Sequence, residues 1–305
     1  MKVVVTGATG TIGSALVREL TGRGDEVTVL SRNPDRASDS LGVEAHEWSD
    51  PKAAPPSEAA LAGRDAVLHL LGEPISQRWS DDVKKEIRDS RVLSTRNLVA
   101  GLAAVADDAR PGTLVSQSGA GRYGPRDDER LNESAPAGDD FLAEVCEAWE
   151  AEALAAERHG LRVTVTRTGV VLSETGGALE KMLPPFKLGV GGSVAGGRQY
   201  VPWIHLDDVV GALAFCLDNP DARGAVNVTA PEPVTNAELS KALGKVLHRP
   251  AVAPVPALAV KVLYGEMSMI VTTGQRAVPG RLAELGYEFR RPDLVDALRD
   301  ATGKD

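Results

Sequence analysis

The chain of 305 residues carries 43 acidic and 34 basic side chains, a formal net charge of -9 at neutral pH. This acidic balance argues against a nucleic-acid partner and leaves no basic stripe for an anionic membrane surface. No apolar run is long enough to cross a bilayer, and the chain opens with an apolar strand instead of a signal peptide, so we expect a cytoplasmic location.

A glycine-rich turn near the start of the chain is the first informative feature. Residues 3–5 are three consecutive valines, typical of a buried parallel strand, and residues 12–20 repeat apolar side chains at helical spacing. Glycines between a strand and a helix permit a tight turn and let backbone N–H groups approach a pyrophosphate at the helix N-terminus. The sequence therefore predicts a dinucleotide site that includes Gly7, Thr9, Gly10, Thr11, Ile12 and Gly13.

The second predicted strand, residues 26–30, indicates which dinucleotide is bound. An acidic residue at its end would hold the ribose 2′-OH of NAD, but this strand ends in Ser31, Arg32 and Asn33. A guanidinium can grip a 2′-phosphate with two hydrogen bonds, so the sequence favours NADP(H), with Ser31, Arg32 and Arg36 near the phosphate. The alternative is that Arg32 is an ordinary solvated charge.

Strands and helices alternate along the next part of the chain. We predict strands at residues 65–72, 112–116 and 162–168, and helices from 81 to 104 and from 141 to 158. The end of the first of these strands is expected to line the cofactor crevice with Leu70, Leu71, Gly72 and Glu73. The alternation predicts an α/β fold of the Rossmann type, with a doubly wound parallel sheet.

From about Ser173 the sequence becomes rich in glycine and proline, and we interpret that stretch as mainly loop, with later helices at residues 238–247 and 294–301. We predict a Rossmann domain over residues 1–172, with its sheet completed by about 201–230. Residues 173–200 and 231–305 would form a smaller C-terminal substrate lobe. Cys146 and Cys216 lack metal-ligand spacing and are expected to be buried, and we predict no metal site.

Two residues beyond the strand at 112–116 are catalytic candidates. Ser118 could bind a substrate carbonyl or hydroxyl, and Tyr123 is the phenol within reach of the same loop. The alternatives are a turn serine and a tyrosine that packs under the loop.

Several further polar side chains could line the substrate cleft. Glu73, Arg78 and Arg91 could close over an anionic substrate or the cofactor pyrophosphate, although helix-surface charge pairs would explain them equally well. His205 precedes an apolar helix, where capping of that helix is the simpler interpretation. The predicted cleft residues are Arg78, Lys181, Gln199, Trp203 and His205.

The order of these motifs resembles that of the extended short-chain dehydrogenase/reductases. The resemblance rests on the glycine turn, Ser116-Gln117-Ser118 before Tyr123-Gly124, Arg167-Thr168-Gly169 and Trp203-Ile204-His205-Leu206-Asp207-Asp208. More narrowly, Gly72-Glu73-Pro74-Ile75, Arg78-Trp79, Ser90-Arg91, Lys181 to Phe186 and Gly274-Gln275-Arg276-Ala277 resemble atypical epimerase-family proteins with a C-terminal extension of unknown function. The resemblance implies an epimerase-like fold that binds NADP(H). We also predict Arg91 and Arg167 to lie near the cofactor.

The chain departs from that superfamily at its catalytic helix. In the superfamily a Tyr-x-x-x-Lys pair supplies a proton donor and a lysine that holds the nicotinamide ribose. If Glu150 is matched to the acidic residue that usually follows this pair, Leu142 falls at the tyrosine position and Cys146 at the lysine position. Two functions stay open: an NADP(H)-dependent oxidoreductase or epimerase acting on a small molecule, and a non-catalytic NADP(H)-binding sensor. Oligomeric state is left open, with a homodimer as the candidate assembly.

Overall fold

The computed structural model describes residues 1–304. Strands and helices are numbered separately in chain order. The strands are β1 (Lys2–Thr6), β2 (Glu26–Ser31), β3 (Glu44–Glu47), β4 (Ala66–His69), β5 (Thr113–Gly119), β6 (Arg130–Leu131), β7 (Arg162–Thr168), β8 (Val170–Leu172), β9 (Tyr200–Val201), β10 (Trp203–His205), β11 (Gly224–Val228), β12 (Val234–Thr235) and β13 (Arg276–Ala277). The α-helices are α1 (Thr11–Gly22), α2 (Pro34–Leu41), α3 (Glu58–Leu61), α4 (Asp81–Ala104), α5 (Phe141–Leu154), α6 (Gly177–Lys187), α7 (Leu206–Asp218), α8 (Asn236–Val246), α9 (Ala257–Tyr264), α10 (Met269–Thr272), α11 (Gly280–Glu284) and α12 (Leu294–Ala301).

Seven strands form one parallel sheet in the order β11-β7-β5-β4-β1-β2-β3. Val3, Val4 and Val5 of β1 are fully buried, because helices cover both faces of the sheet. Val3 and Val5 pack towards α1 and α7, whereas Val4 packs towards α4 and α5. The predicted Rossmann-type doubly wound fold is confirmed. None of the helices within residues 1–304 combines the length and apolar character needed to cross a membrane.

The loop interpretation of the stretch after Ser173 is wrong for residues 177–187, which form helix α6. Leu179, Leu183 and Phe186 lie on one buried face of this helix at helical spacing. Pro184 and Pro185 lie inside the helix, where proline removes a backbone hydrogen bond. Burial of the apolar face outweighs that loss.

A second apolar cluster lies away from the main sheet. It joins α6, α8 and α12 through side chains that include Leu183, Leu243 and Leu298. Between these segments the chain returns to the main sheet, since α7 packs on α1 and β11 pairs in parallel with β7. The predicted division into a Rossmann domain and a smaller substrate lobe stays a prediction.

His69 on β4 is a buried base whose protonation opposes folding. Its ring lies 2.7 Å from the Thr6 hydroxyl and 3.0 Å from the Thr95 hydroxyl, and burial lowers the pKa of His69 from 6.5 to about 3. The unfolded chain therefore binds one more proton than the folded chain between these two values. The stability that depends on a neutral His69 is therefore fully present above pH 6.5 and is lost as the pH falls towards 3.

We expect the free energy of unfolding to fall by about 2 kcal/mol between pH 7.5 and pH 5 because of this one group. Urea unfolding at several pH values across that range gives the slope of the unfolding free energy against pH. This slope should be smaller for His69→Gln, which cannot bind the proton. His159→Gln is the matched control, because His159 is exposed to water, and it should keep the wild-type slope. An unchanged slope in His69→Gln would contradict the assignment.

Candidate functional site

The glycine turn joins β1 to α1, and two of its glycines are required by packing. Gly7 has φ of +67°, and a Cβ there would lie 2.7 Å from the carbonyl group of Leu70. A Cβ on Gly13 would lie 2.3 Å from the Gly7 oxygen, so this glycine lets α1 approach β1 closely. The turn therefore holds the N-terminus of α1 against the ends of β1 and β4.

Gly10 is different, because protein packing alone does not require a glycine there. A Cβ at this position would meet only the Gly7 oxygen, at 3.4 Å. Gly10 is the N-cap of α1, whose first N–H groups lack intrahelical partners, and it lines a cavity. An open glycine at a helix N-terminus fits a pyrophosphate, since backbone N–H groups can approach the anion there. The residues present thus fit a dinucleotide.

A cavity of about 290 Å³ extends from this turn to the end of β2. The predicted cofactor residues that line it are Gly7, Thr9, Gly10, Ser31, Arg32, Leu70, Leu71, Gly72 and Glu73. Trp48 and the ion pair between Lys52 and Glu86 complete its wall, and sequence reasoning missed all three. Thr11, Ile12 and Gly13 form the first turn of α1 behind the cavity, where the Thr11 hydroxyl donates to the Thr175 carbonyl.

The end of β2 has the chemistry of a 2′-phosphate site. Arg32 is exposed at the cavity edge, and the neighbouring Ser31 hydroxyl is fixed by donating to the Asn33 carbonyl at 3.1 Å. Asn33 caps α2 by accepting the Arg36 N–H. No acidic side chain stands at the position that would hold a free 2′-OH, and Arg36 lies outside the cavity lining.

A second, larger cavity of about 380 Å³ lies beyond the ends of β4, β5 and β7, between α5 and the C-terminal part of the chain. Leu70, Leu71 and Gly72 line both cavities, so the two form one continuous cleft. Most of the larger cavity is apolar. Its polar and charged lining side chains are Arg91, Gln117, Ser118, Asp140, Cys146, Thr168, Gln199, Tyr200, Asn236, Thr273 and Gln275, together with the indole of Trp149.

Helix α5 presents Leu142 and Cys146 to the larger cavity. That these two positions match the tyrosine and lysine of the superfamily stays a prediction from the sequence. Burial raises the pKa of the Cys146 thiol to about 11, so it keeps its proton at neutral pH. Among the described residues that line the cavity there is no lysine, and the one tyrosine is Tyr200 on β9. Sequence reasoning missed Tyr200 because only the fold brings β9 opposite α5.

Ser118 lies at the cavity wall, with its hydroxyl already engaged. It donates to the Glu150 carboxylate at 2.8 Å, and that carboxylate also accepts from Arg167 at 2.9 Å and from Arg122 at 3.0 Å. Burial opposes ionisation of Arg167, but the hydrogen bond and charge of Glu150 outweigh it and raise the pKa of Arg167. Ser118 can therefore accept a hydrogen bond from a ligand while its own proton is held.

The structure does not bring Tyr123 or Arg167 to the cleft. Tyr123 is fully buried, donates to the Asn227 side-chain oxygen at 2.6 Å and accepts from Arg167 at 3.0 Å. Neither residue lines either cavity. The expectation of a catalytic phenol at Tyr123 is corrected to a packing role, and Arg167 balances the buried Glu150 charge instead of contacting the cofactor.

Trp203 and His205 are also placed away from the cleft. Trp203 is 1% exposed in the second apolar cluster, and its indole donates to the Glu232 carbonyl. His205 caps α7 by accepting the Asp207 N–H, and its other ring nitrogen lies 3.2 Å from Asp300. These three groups are close enough to hold a metal ion, but Arg291 already pairs with Asp300 at 2.6 Å. The capping role of His205, its contact with Asp300 and the Arg291–Asp300 ion pair account for the cluster.

Of the other residues predicted to lie in the cleft, some line the larger cavity and some do not. Gln199 lines the larger cavity, and its amide donates to the Val271 carbonyl at 2.7 Å. Lys181 donates to the Ser76 hydroxyl at 2.8 Å and so ties α6 to the segment after β4. Arg78 points to the Val262 carbonyl and does not line the cavity. Arg91 does line it.

This arrangement of a glycine turn, a parallel sheet and a cleft across the strand ends defines a nicotinamide dinucleotide-binding protein of the Rossmann type. The model of the NAD dependent epimerase/dehydratase family matches residues 3–229, and that of a domain of unknown function, DUF1731, matches residues 255–301. The chain belongs to the NAD dependent epimerase/dehydratase family, and the resemblance drawn from its motifs is confirmed.

Three relatives illustrate how far the likeness extends. The chain is 41% identical to the chloroplastic SDR39U1 homologue of Arabidopsis thaliana, over 98% of this chain and 86% of that protein. The crystal structure of human SDR39U1 with NADPH superposes with a TM-score of 0.88, at 34% identity and 99% coverage of both chains. A nucleoside-diphosphate sugar epimerase from Corynebacterium glutamicum superposes with a TM-score of 0.78 and 32% identity, over 100% of this chain and 59% of that one.

Proposed function

We propose that this protein is an NADP(H)-dependent oxidoreductase or epimerase of a small molecule that works without the Tyr-x-x-x-Lys pair. The observation that carries the proposal is the continuous cleft, which runs from Arg32 past Gly10 and Gly72 to the cavity under α5. The glycine turn and α1 would hold the pyrophosphate, and Arg32 the 2′-phosphate. The NADPH in the structure of human SDR39U1 supports the choice of cofactor.

The larger cavity suggests the kind of substrate. Arg91 is the one cationic side chain among the described residues that line it, and Asp140 is the one carboxylate. A nucleoside diphosphate carries at least two negative charges, whereas most of this cavity is apolar. The lining therefore suits a small molecule with an apolar body that is neutral or carries a single negative charge.

The reaction needs a proton as well as the hydride that bound NADP(H) supplies or accepts. Ser118 would orient a substrate hydroxyl by accepting its hydrogen bond, since the Ser118 proton is held by Glu150. Tyr200, or a water in the cavity, would move the proton, because Leu142 cannot do so and Cys146 keeps its own proton at neutral pH.

Transfer of deuterium tests the proposal. We expect label from NADPH that is stereospecifically deuterated at nicotinamide C4 to appear in one component of a metabolite pool, and not from deuterated NADH. Tyr200→Phe should slow this transfer by about 100-fold or more if Tyr200 moves the proton, and little if water does. Binding of NADPH without label transfer, together with no change of configuration in any component incubated with NADP⁺, would overturn the enzyme proposal, since an epimerase returns the hydride to its substrate.

Binding of NADPH without any reaction would favour a second function, a non-catalytic NADP(H) sensor. The observation behind it is the pair Leu142 and Cys146 on the face of α5 that lines the cavity. A sensor needs the cofactor site but no proton relay, and the fold hosts both kinds of protein.

A further inference from the structure

Arg91 on α4 carries a guanidinium whose donors are mostly unused. Its Nη1 donates to the Ile87 carbonyl at 3.0 Å within the same helix. Other basic residues of α4 are ion-paired, among them Lys85 with Asp89 at 2.5 Å and Arg96 with Glu152 at 2.6 Å. Arg91 forms no such pair with any carboxylate of residues 1–304. Since a guanidinium has five N–H donors, most of them are free for a ligand.

The guanidinium is held in a fixed position between two elements of the cleft. Its central carbon lies 5.3 Å from the centre of the Trp149 ring on α5, a cation-π contact. On its other side, a Cβ on Gly72 would lie 3.0 Å from the same carbon, so the lack of a side chain at Gly72 makes room for it. Burial lowers the pKa of Arg91, and the charge of Glu73, which forms no ion pair with it, offsets only part of that effect. Such desolvation is costly unless a ligand compensates it.

Arg91 lies in the part of the cleft that is away from the glycine turn. Arg91 lines the larger cavity, whereas Ser90, its neighbour on α4, lines the smaller one together with the glycine turn. The guanidinium therefore lies on the α5 side of residues 70–72. Cys146 of α5 lines the same cavity, and the charge of Arg91 acts on its thiol.

We propose that Arg91 binds the ribose on the nicotinamide side of the cofactor and thereby supplies, from α4, the cation that is missing at position 146. The inference rests on the proposed NADP(H) site. A lysine at position 146 would have two tasks, and without a tyrosine at 142 only the task of holding the ribose remains. A guanidinium whose free donors face the cavity can perform it by donating to the ribose hydroxyls.

The phosphates are the competing ligand, and the structure argues against them. The glycine turn and the N-terminus of α1 already provide an anion site in the smaller cavity, which Arg91 does not line. Arg91 lines the larger cavity instead, together with Cys146 and Trp149 of α5.

A series of cofactor fragments tests this assignment by calorimetry, without any need for activity. The probes are 2′,5′-ADP, 2′-phospho-ADP, which adds the diphosphate, 2′-phospho-ADP-ribose, which adds the second ribose, and NADPH. We expect Arg91→Met to weaken the binding of 2′-phospho-ADP-ribose and NADPH by about 10- to 100-fold, as for loss of hydrogen bonds from a charged group. The affinities of the first two probes should not change. Unchanged binding of 2′,5′-ADP also shows that the variant is folded. Arg88→Met is the matched control, because Arg88 is exposed on the same helix and should bind every probe like wild type.

Two results would overturn the inference. Equal weakening of 2′-phospho-ADP would place Arg91 at the phosphates, and no weakening of any probe would remove it from the cofactor site. If wild type binds none of the probes, the proposed function itself fails, and the two failures are thus distinguishable.

Moving the cation provides a second test. The double variant Arg91→Met/Cys146→Lys places a lysine at the superfamily position, and we expect it to recover NADPH affinity to within about threefold of wild type. Recovery would show that a cation at either helix serves the same ribose. If the double variant binds 2′,5′-ADP normally but NADPH no better than Arg91→Met does, the cation at position 146 is not equivalent and the replacement argument is overturned.

Discussion

Arg32→Asp is expected to weaken NADPH binding by about 100-fold or more and to make NADH the preferred cofactor. The change removes a charge-assisted pair with the 2′-phosphate and places there a carboxylate that can accept a hydrogen bond from the ribose 2′-OH of NAD. Arg32 lies at the end of β2, exposed at the edge of the smaller cavity, so the substitution should not disturb folding. Titrations of both cofactors, followed by nicotinamide fluorescence, measure the ratio of the two dissociation constants.

The control for this reversal is Arg18→Asp, which makes the same charge change on the exposed face of α1. It should leave both affinities within about twofold of wild type, since exposed charges beyond a Debye length are largely screened. Equal NADPH affinity in wild type and Arg32→Asp would show that Arg32 is a solvated surface charge and would remove the basis for choosing NADP(H) over NAD(H).

The largest effect on stability is expected at Glu150, whose carboxylate is buried between two guanidiniums. The Arg167 side chain is 6% exposed, so Glu150→Gln leaves an uncompensated charge in the interior beside β7. Breaking a buried pair in this way costs about 3–5 kcal/mol, and urea unfolding should show a loss of that size.

Glu147→Gln on the same helix is the matched control. Its side chain is 53% exposed and lies 3.4 Å from Arg122. Loss of the Glu147 charge should therefore change the free energy of unfolding by less than about 0.5 kcal/mol. Adding Arg167→Met to Glu150→Gln should recover part of the lost stability, because the unpaired charge is then removed. A loss below about 1 kcal/mol in Glu150→Gln would contradict a buried charge balance at this point.

The local pattern was informative wherever one segment determines its own structure. Helices α4 and α12 have the predicted bounds, and the strand ends at Ser31 and Leu70 line the cleft as expected. Local rules were misleading at α6, where the glycines and prolines around Pro184 suggested a loop. Its apolar face is buried against α8 and α12, and that packing is not visible from a single segment.

The sequence by itself determined the class of fold and several residues that line the smaller cavity, because the glycine turn, the valine strand and the end of β2 are local features of one short stretch of chain. Only the tertiary structure decided what surrounds the larger cavity. It placed Tyr123, Arg167 and Trp203 in the interior, because their partners Asn227, Glu150 and Glu232 come from other parts of the chain. It also brought Arg91 of α4 and Tyr200 of β9 to the same cavity as Cys146. Side-chain direction and partner choice depend on how helices and sheet pack, and that packing sums contacts between residues far apart in sequence.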